Sequence, residues 1–391
     1  MQTILTVNGG SSSLKCALFE RVDDRLNLLY SFKLGNILNT ASFRAFDSNG
    51  NLLSHCEPDF STISKEKRHQ ASLQTVLNWI SEQESTTSIS AIGHRVVHGG
   101  GKYNAPRLIT DQLMDELRKF IPLAPLHQPF NLKLIEACHA LEPNLPQVAC
   151  FDTMFHAKQS PLEQHYAIPR KYTEEGIKRY GFHGLSYEFI LRKLTEQQSD
   201  SLNTIVCHLG AGASMCAIKN KQSIASSMGF TAVDGLPMGS RCGSIDPGVM
   251  LYLQRHHQMS ADDLERFIYK ESGWYGVSGI SSDMLELHQS DQPEAEEAID
   301  MFCYRAALEI GRLSAALEGL QQLVFTGGVG ENDADVRSRI LTRCHWLGIK
   351  FAKQANDAGS AVISQDDSSV IVRVIPTNEE AMIATHVTEL T

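Results

Sequence analysis

The sequence predicts an α/β protein made of two duplicated domains, and three observations carry that expectation. Residues 205–218 read as strand, tight glycine turn, strand: an apolar run reaches His208, Gly210 and Gly212 make the turn, and residues 214–218 lead away from it. Residues 4–18 repeat the pattern without a gap, with Asn8 falling on His208, Gly10 on Gly210 and Cys16 on Cys216. A third segment, residues 323–332, runs as strand, Gly-Gly-x-Gly loop and helix start. Glycines let a backbone bend at positive φ and let a ligand come close to it, and successive main-chain N–H groups make a nest for anionic oxygens. A repeat at this long spacing suggests a duplicated domain rather than a solenoid, whose periods are roughly 20–50 residues. Chance similarity between two glycine hairpins is the competing explanation.

The elements follow in order. Residues 1–19 form the first hairpin. Loose alternation over 26–55, with turn signals at Asp23-Asp24, Gly35-Asn36 and residues 47–50, predicts antiparallel strands. Leu73, Val76, Leu77 and Ile80 share one helical face within 69–83. Residues 89–101 read as a strand entering a glycine loop. A helix over 110–121 opens at Thr110 or Asp111. Three prolines bar regular helix from 122–129. A helix over 131–141 and a strand over 147–152 complete the first half. The domain boundary falls there: residues 1–150 form the first domain, completed by a C-terminal helix over 376–391, and 151–375 form the second. In the second, a helix follows residues 181–184, and a loop rich in Gly, Met and Ser covers 226–248. Helices occupy 248–257, 260–272 and 292–319. After the third glycine segment a helix runs to 344, with Asp333 and Asp335 in its first turn, where carboxylates complement the helix dipole. Residues 370–375 form a late strand, and Thr377 or Asn378 caps the last helix.

The 391 residues are 42% hydrophobic and 20% charged, enough apolar content for a sizeable core. A net charge of −10 argues against nucleic acid or an anionic membrane as main partner, since both select basic patches. An anionic ligand must then be held by a few local cations and N–H groups. The nine cysteines are odd in number and include no Cys-x-x-Cys pair, which fits buried free thiols in a reducing compartment. Met1-Gln2 leads directly into a strand, with no basic-then-apolar leader and no run long enough to span a bilayer, so the expected location is the cytoplasm.

None of the glycine loops is a Walker A loop, because Gly101-Lys102 is followed by tyrosine. None is a dinucleotide fingerprint, because Met215 stands where the third glycine belongs and the chain continues as strand. A duplicated phosphate-holding hairpin plus a third strand–glycine–helix segment is the arrangement of the sugar-kinase, heat-shock-chaperone and actin superfamily. That arrangement implies two actin-like (ribonuclease-H-like) domains with an interdomain cleft. The resemblance then becomes specific. Asn8-x-Gly-Ser-Ser-Ser-x-Lys15, residues 94–100, 123–127, 151–153, 181–184 and 208–212, Met238-Gly-x-Arg241, residues 326–332 and Pro376-Thr-Asn-Glu-Glu380 resemble, in order and over nearly the whole chain, the acetate kinase family.

The resemblance implies reversible transfer of the ATP γ-phosphoryl group to acetate, giving acetyl phosphate and ADP. It implies Mg²⁺ as cofactor, with Mn²⁺ able to substitute, and a homodimer formed through the second domain. Phosphoryl transfer needs charge neutralisation and in-line positioning more than covalent help. Arg95 and Arg241 match the family's substrate and transition-state arginines, and planar guanidinium forks suit carboxylate and phosphoryl oxygens. His183 matches the residue that stabilises the transferring group, and Asp152 the catalytic aspartate. Asn8 and Glu379 match magnesium-linked positions; a first-turn carboxylate complementing a helix dipole is the plainer reading of Glu379. Lys15, His208, Leu209, Gly210, Ala211, Gly212, Asp283, Met284, Leu285, Gly328, Val329, Gly330, Glu331 and Asn332 match nucleotide-site positions. His94, His98, His127 and His156 fit loop anchors as well as functional groups.

Five positions depart from the family pattern. Leu285 replaces an arginine beside the base, Ala211 an asparagine in the His208 turn, Ser244 an aspartate and Gln128 an asparagine. Ala232 stands where a proline lines the acyl pocket with Val97, Leu126 and Phe182. A smaller wall admits propionate beside acetate, because one methylene is worth only about 1–3 kcal/mol of discrimination. Three hypotheses stay open at this level: an active acyl kinase, a nucleotide-binding relative that has lost catalysis, and a sister kinase with another acid or phosphoryl donor.

Overall fold

The computed structural model describes residues 2–10, 12–23, 25–83 and 88–391; Ser11 of the first glycine turn and Asp24 of the following turn signal lie outside them. The chain divides into two compact units, one of Met1–Met154 with Asn378–Thr391 and the other of Phe155–Thr377.

The first unit is built on eight strands, β1 (Gln2–Gly9), β2 (Leu14–Val22), β3 (Arg25–Gly35), β4 (Ser42–Asp47), β5 (Leu52–Cys56), β6 (Ile89–Val96), β7 (Arg107–Leu108) and β8 (Gln147–Phe151). Their order is β5-β4-β3-β2-β1-β6-β8-β7. β1 to β5 form an antiparallel meander, while β6 and β8 lie parallel to β1. Period-2 alternation sorts the faces. Leu5, Val7, Leu14 and Cys16 pack with Leu73, Val76 and Ile80 of helix Arg68–Gln83 and with Leu134 and Cys138 of helix Gln128–Leu141. Gly93, in register with Thr6, faces the other way and leaves room for Ile383 and Val387 of helix Glu379–Leu390.

The second unit holds β9 (Thr204–His208), β10 (Ser214–Lys219), β11 (Gln222–Ser226), β12 (Gln322–Thr326) and β13 (Ile371–Val374), ordered β11-β10-β9-β12-β13. β9 to β11 are antiparallel neighbours; β12 and β13 are parallel to β9. Helix Gly184–Glu196 packs Tyr187, Ile190 and Leu194 on Val206, Cys216, Ile218 and Val324. The long helix Pro293–Leu317 packs against β9, β10 and β11. The order β3-β2-β1-β6-β8 inside the first sheet repeats β11-β10-β9-β12-β13, so the duplication read from the two hairpins extends to five strands.

Local corrections have physical causes. The two hairpins do not match without a gap: Asn8 lies opposite Lys15 but His208 lies opposite Ser214, so the second turn is one residue shorter. The third helix begins at Gln128, not 131, because Pro129 sits in its first turn, where a missing N–H costs nothing. The second helix ends at Arg118. The third glycine segment is itself a short helix, Gly327–Asn332, before Asp333 caps the next. The two-residue edge strand β7 and the short helices Met284–His288 and Lys353–Asp357 have too few residues for a periodic signal. No helix among the described residues is long and apolar enough to cross a membrane.

Candidate active site

In the first unit, Asn8 lies near the carboxyl end of β1, Arg95 near that of β6, and Asp152 one residue beyond β8. Three parallel strands deliver them side by side, at the edge where open α/β sheets bind ligands. Arg95 Nε donates to Oδ1 and Oδ2 of Asp152, each at 3.0 Å, and Nη2 donates to Oδ2 at 2.5 Å. Arg95 Nη1 also donates to Asn8 Oδ1 at 3.2 Å, and Nε lies 3.9 Å from Glu379 Oε2. Asn8 Nδ2 donates to Glu379 Oε2 and to Glu380 Oε1, both at 3.3 Å. Asn378 brings the glutamates there by capping their helix, accepting from Ala381 N at 2.8 Å.

Asp152 is fully buried, and burial pushes its carboxyl above the usual range although Arg95 pulls it down. Burial works against the charge on Arg95, but Asp152, Glu379 and Glu380 outweigh it and raise that group further. Three carboxylates thus surround one guanidinium. This surplus of negative charge on hard oxygen donors fits a divalent oxygen-seeking cation. Among the described residues no group of three or more His, Cys, Asp or Glu is placed to hold a metal ion by itself. Lys15 is exposed, opposite Asn8 across the hairpin. Val97 is buried and Leu126 half-buried in this unit. Gln128 pins the Val97 loop by accepting from His98 N at 3.2 Å and donating to His98 O at 3.1 Å, and Asn131 accepts from Val97 N at 3.0 Å. His98 and His94 are anchors: His98 Nδ1 accepts from Gly100 N at 2.8 Å, and His94 Nε2 meets Gln147 Oε1 at 2.6 Å.

In the second unit, His183 caps helix Gly184–Glu196 with a left-handed backbone, φ 56°. Its Nδ1 lies 2.8 Å from Ser214 Oγ, and that hydroxyl also meets Tyr187 Oη. The rings of His183 and His208 stack with centroids 4.3 Å apart. His208 Nδ1 lies 2.8 Å from Ser186 Oγ, which is bonded in turn to Thr377 Oγ1 at 2.8 Å. A Cβ placed on Gly212 would sit 3.6 Å from His183 Nε2 and 3.7 Å from Arg241 Nη1, so a histidine nitrogen and a guanidinium flank that point. Arg241 is aimed by the Ala232 carbonyl, which accepts from Nη1 at 3.0 Å. Phe182, which precedes His183, is buried, and Ala232 is half-buried. His156 is another anchor: buried, its titration pushed down to about 4 by burial, with Nε2 on Phe182 O at 2.9 Å and Nδ1 on Ser223 Oγ at 2.8 Å.

The second and third glycine segments meet beside this cluster. The Leu209 carbonyl accepts from Val329 N at 2.9 Å and Gly330 N at 3.1 Å, and a Cβ on Gly210 would lie 3.8 Å from Gly328 N. Glu331 is a clamp, its Oε1 accepting from Gly327 N at 2.7 Å and Thr377 N at 3.0 Å. Asn332 Nδ2 donates to Gly328 O at 2.8 Å. Ala211 uses its main chain, its carbonyl accepting from Gly239 N at 3.2 Å. Asp283 caps helix Met284–His288 through Leu285 N at 2.9 Å; Met284 is buried and Leu285 is 64% exposed. Ser244, where the family pattern has aspartate, donates to Asp234 Oδ1 at 2.7 Å, a place where a second carboxylate would be repelled. Tyr187, Ser214 and Glu380 are the groups the sequence did not single out. Tyr187 sits four residues after His183, the spacing that puts two side chains on one helical face.

The doubled five-strand core and the polar clusters at its strand ends define a two-domain actin-like protein. Residues 3–385 match the model of the Acetokinase family. An acetate kinase of Rhodopseudomonas palustris is 45% identical over 395 residues, 99% of this chain and 98% of that protein. One from Rickettsia felis is 41% identical, with 98% of each covered. The solved acetate kinase of Porphyromonas gingivalis superposes with TM-score 0.88 at 35% identity, covering 100% of both chains. A propionate kinase from Francisella tularensis superposes with TM-score 0.91 at 33% identity over 99% of both. The chain belongs to the acetokinase family, whose members use ATP and a divalent metal.

Proposed function

We propose that the chain transfers the γ-phosphoryl group of ATP directly and reversibly to acetate, giving acetyl phosphate and ADP, with Mg²⁺ as the divalent ion. The observation that carries this reading is the point at Gly212 flanked by His183 Nε2 and Arg241 Nη1. A planar phosphoryl group in transfer spreads charge over its equatorial oxygens, and preorganised donors on two sides stabilise that charge. In the first unit Arg95, oriented by Asp152, binds the acetate carboxylate. Asn8, Glu379 and Asp152 supply oxygen donors to magnesium, or to manganese in its place. When bound, that ion neutralises phosphate charge. Val97 and Leu126 of the first unit, and separately Phe182 and Ala232 of the second, are the apolar candidates for contact with the methyl side of the acid. In the second unit His208, Leu209, Gly210, Ala211 and Gly212 take the ATP phosphates; Lys15, in the first unit, is a further candidate phosphate-binding cation. Gly328, Val329, Gly330, Glu331 and Asn332 shape the nucleoside side with Asp283, Met284 and Leu285.

Acetyl hydroxamate formation from acetate, ATP and Mg²⁺ tests this. Arg241→Ala should cut turnover about 100- to 1,000-fold, the usual loss for one such donor. Normal turnover in that variant overturns the mechanism. A second reading, use of propionate as well, rests on Ala232 and on the neighbouring propionate kinase structure. Parallel assays with the two acids should give kcat/KM values within about 10- to 200-fold of each other. The chain acts in the cytoplasm as a homodimer. Helices Pro247–His256 and Ala261–Lys270 bury none of their residues, and Val249, Leu251 and Tyr252 lie exposed, an apolar surface of the kind that association covers. A monomer mass in light scattering excludes the dimer.

A further inference from the structure

The geometry points to Tyr187 and Ser214 as positioning residues that hold His183 as the neutral Nε2–H tautomer. This rests on the reading of the Gly212 point as the place of phosphoryl transfer. Tyr187 is fully buried, and Ser214 Oγ is the hydrogen-bond partner its hydroxyl has among the described residues. A buried O–H without an acceptor is costly, so Tyr187 donates to Ser214. Ser214, itself buried, has one hydrogen left, and His183 Nδ1 lies 2.8 Å from its oxygen. Ser214 therefore donates to Nδ1, and Nδ1 accepts. The ring proton resides on Nε2, the nitrogen 3.6 Å from the Gly212 Cβ position. The reverse direction would strand the Tyr187 hydrogen in an apolar setting, packed with Ile190, Val206 and Val324.

His208 and Arg241, both close to the His183 ring, favour its neutral form. His208 stacks on it and Arg241 Nη1 lies across the Gly212 point, and neither welcomes a second cation. Burial pushes the Tyr187 hydroxyl well above its ordinary value, so the relay begins on a group that keeps its proton. The consequence is directional. Nε2–H is a donor aimed where oxygens of a transferring phosphoryl group gather charge. His183 then acts as a fixed hydrogen-bond donor, with no proton exchanged in the transfer.

Nitrogen-15 NMR of histidine-labelled full-length protein tests the tautomer, with the His183 signals assigned by their loss in His183→Asn. The wild type should show Nε2–H and Nδ1 without a proton from pH 6 to 9. Tyr187→Phe keeps the ring and removes the O–H, which frees Ser214 Oγ to accept. His183 should then populate the Nδ1–H and doubly protonated forms, and an acid limb should appear in the pH–rate profile. Turnover should fall about tenfold, the worth of one positioned hydrogen bond, with the KM of ATP and of acetate changed less than about twofold. A wild-type His183 protonated on Nδ1, or a Tyr187→Phe enzyme with unchanged tautomer and turnover, overturns the assignment. Full activity in His183→Asn would instead reject the phosphoryl-transfer reading of this histidine, whatever its tautomer.

Discussion

Gly212 shows how much one residue can decide. A methyl group there meets His183 Nε2 and Arg241 Nη1 at ordinary van der Waals distance, and its backbone is not in the left-handed region. Gly212→Ala should therefore fold with little loss of stability while filling the space proposed for the phosphoryl group. The expected result is a melting temperature within a few degrees of wild type and turnover reduced at least about 100-fold, the scale set by misplacing a reacting group by about 1 Å. A stable, fully active alanine variant would place the chemistry elsewhere. Leu285 offers the opposite experiment. It is exposed on a short helix whose buried residues are Met284 and Leu287, so Leu285→Arg leaves the core alone. A guanidinium there should lower the KM for ATP by about three- to tenfold, the worth of one exposed cation–π or charged hydrogen bond, without changing the KM for acetate. Initial-rate kinetics with each substrate varied in turn check this; equal shifts in both KM values would count against a base contact. At this scale the sequence singles out charged or titratable residues that the structure places at strand ends or at a helix start. Arg95, Asp152 and His183 stand in glycine-bounded or strand-end settings that surface salt bridges seldom use. Ser214 and Tyr187 were not readable, because a serine in a strand and a tyrosine in a helix are ordinary until their hydroxyls are seen to meet.

Among the elements, helix Glu379–Leu390 carries the two glutamates of the first unit's cluster, and its seat depends on Gly93 of β6. A Cβ on Gly93 would come within 2.4 Å of Ile383 Cγ2 and 2.7 Å of Val387 Cγ2, so the helix lies against bare backbone. Gly93→Ala should overpack this face and cost about 1–3 kcal/mol in urea unfolding. The same shift carries Glu379 and Glu380 away from Asn8, so half-maximal activity should require several times more Mg²⁺. An unchanged Mg²⁺ requirement in a destabilised variant would separate helix seating from the cation site. Long elements such as helix Arg68–Gln83 and the hairpin strands follow from periodic apolar positions. Boundaries set by a few hydrogen bonds do not. The helical turn Gly327–Asn332 reads as a loop because three of its six residues are glycine, and it is held by Leu209 O and Glu331 Oε1, contacts with no local signature.

At the scale of the whole molecule, buried histidines in both units should set the acid limit of the fold. Duplication was legible because each unit repeats one glycine hairpin, but the load of neutral histidines was not, since burial is a tertiary property. His94 and His98 lie in the first unit and His156 in the second, and burial pushes each down to about 4 from 6.5. Protonating His98 or His156 also breaks an accepted hydrogen bond, from Gly100 N and from Ser223 respectively. The unfolded chain binds these protons near 6.5 and the folded chain only near 4, so the unfolded state gains protons first as pH falls. Stability carried by the three neutral rings is complete above 6.5 and is lost progressively towards 4. The slope is about 1.4 kcal/mol per pH unit for each histidine, or roughly 4 for three, before other groups are counted. Asp152 acts in the opposite sense: its raised carboxyl binds a proton more readily in the folded state, so its contribution grows as pH falls and offsets part of the loss. Urea midpoints should therefore stay level from pH 8 to 7 and drop steeply between 6 and 4.5. His94→Gln removes one titrating ring and should reduce the slope by about a third. Equal midpoints at pH 7 and pH 5 would mean that these rings take up protons in the folded state as easily as in the unfolded chain.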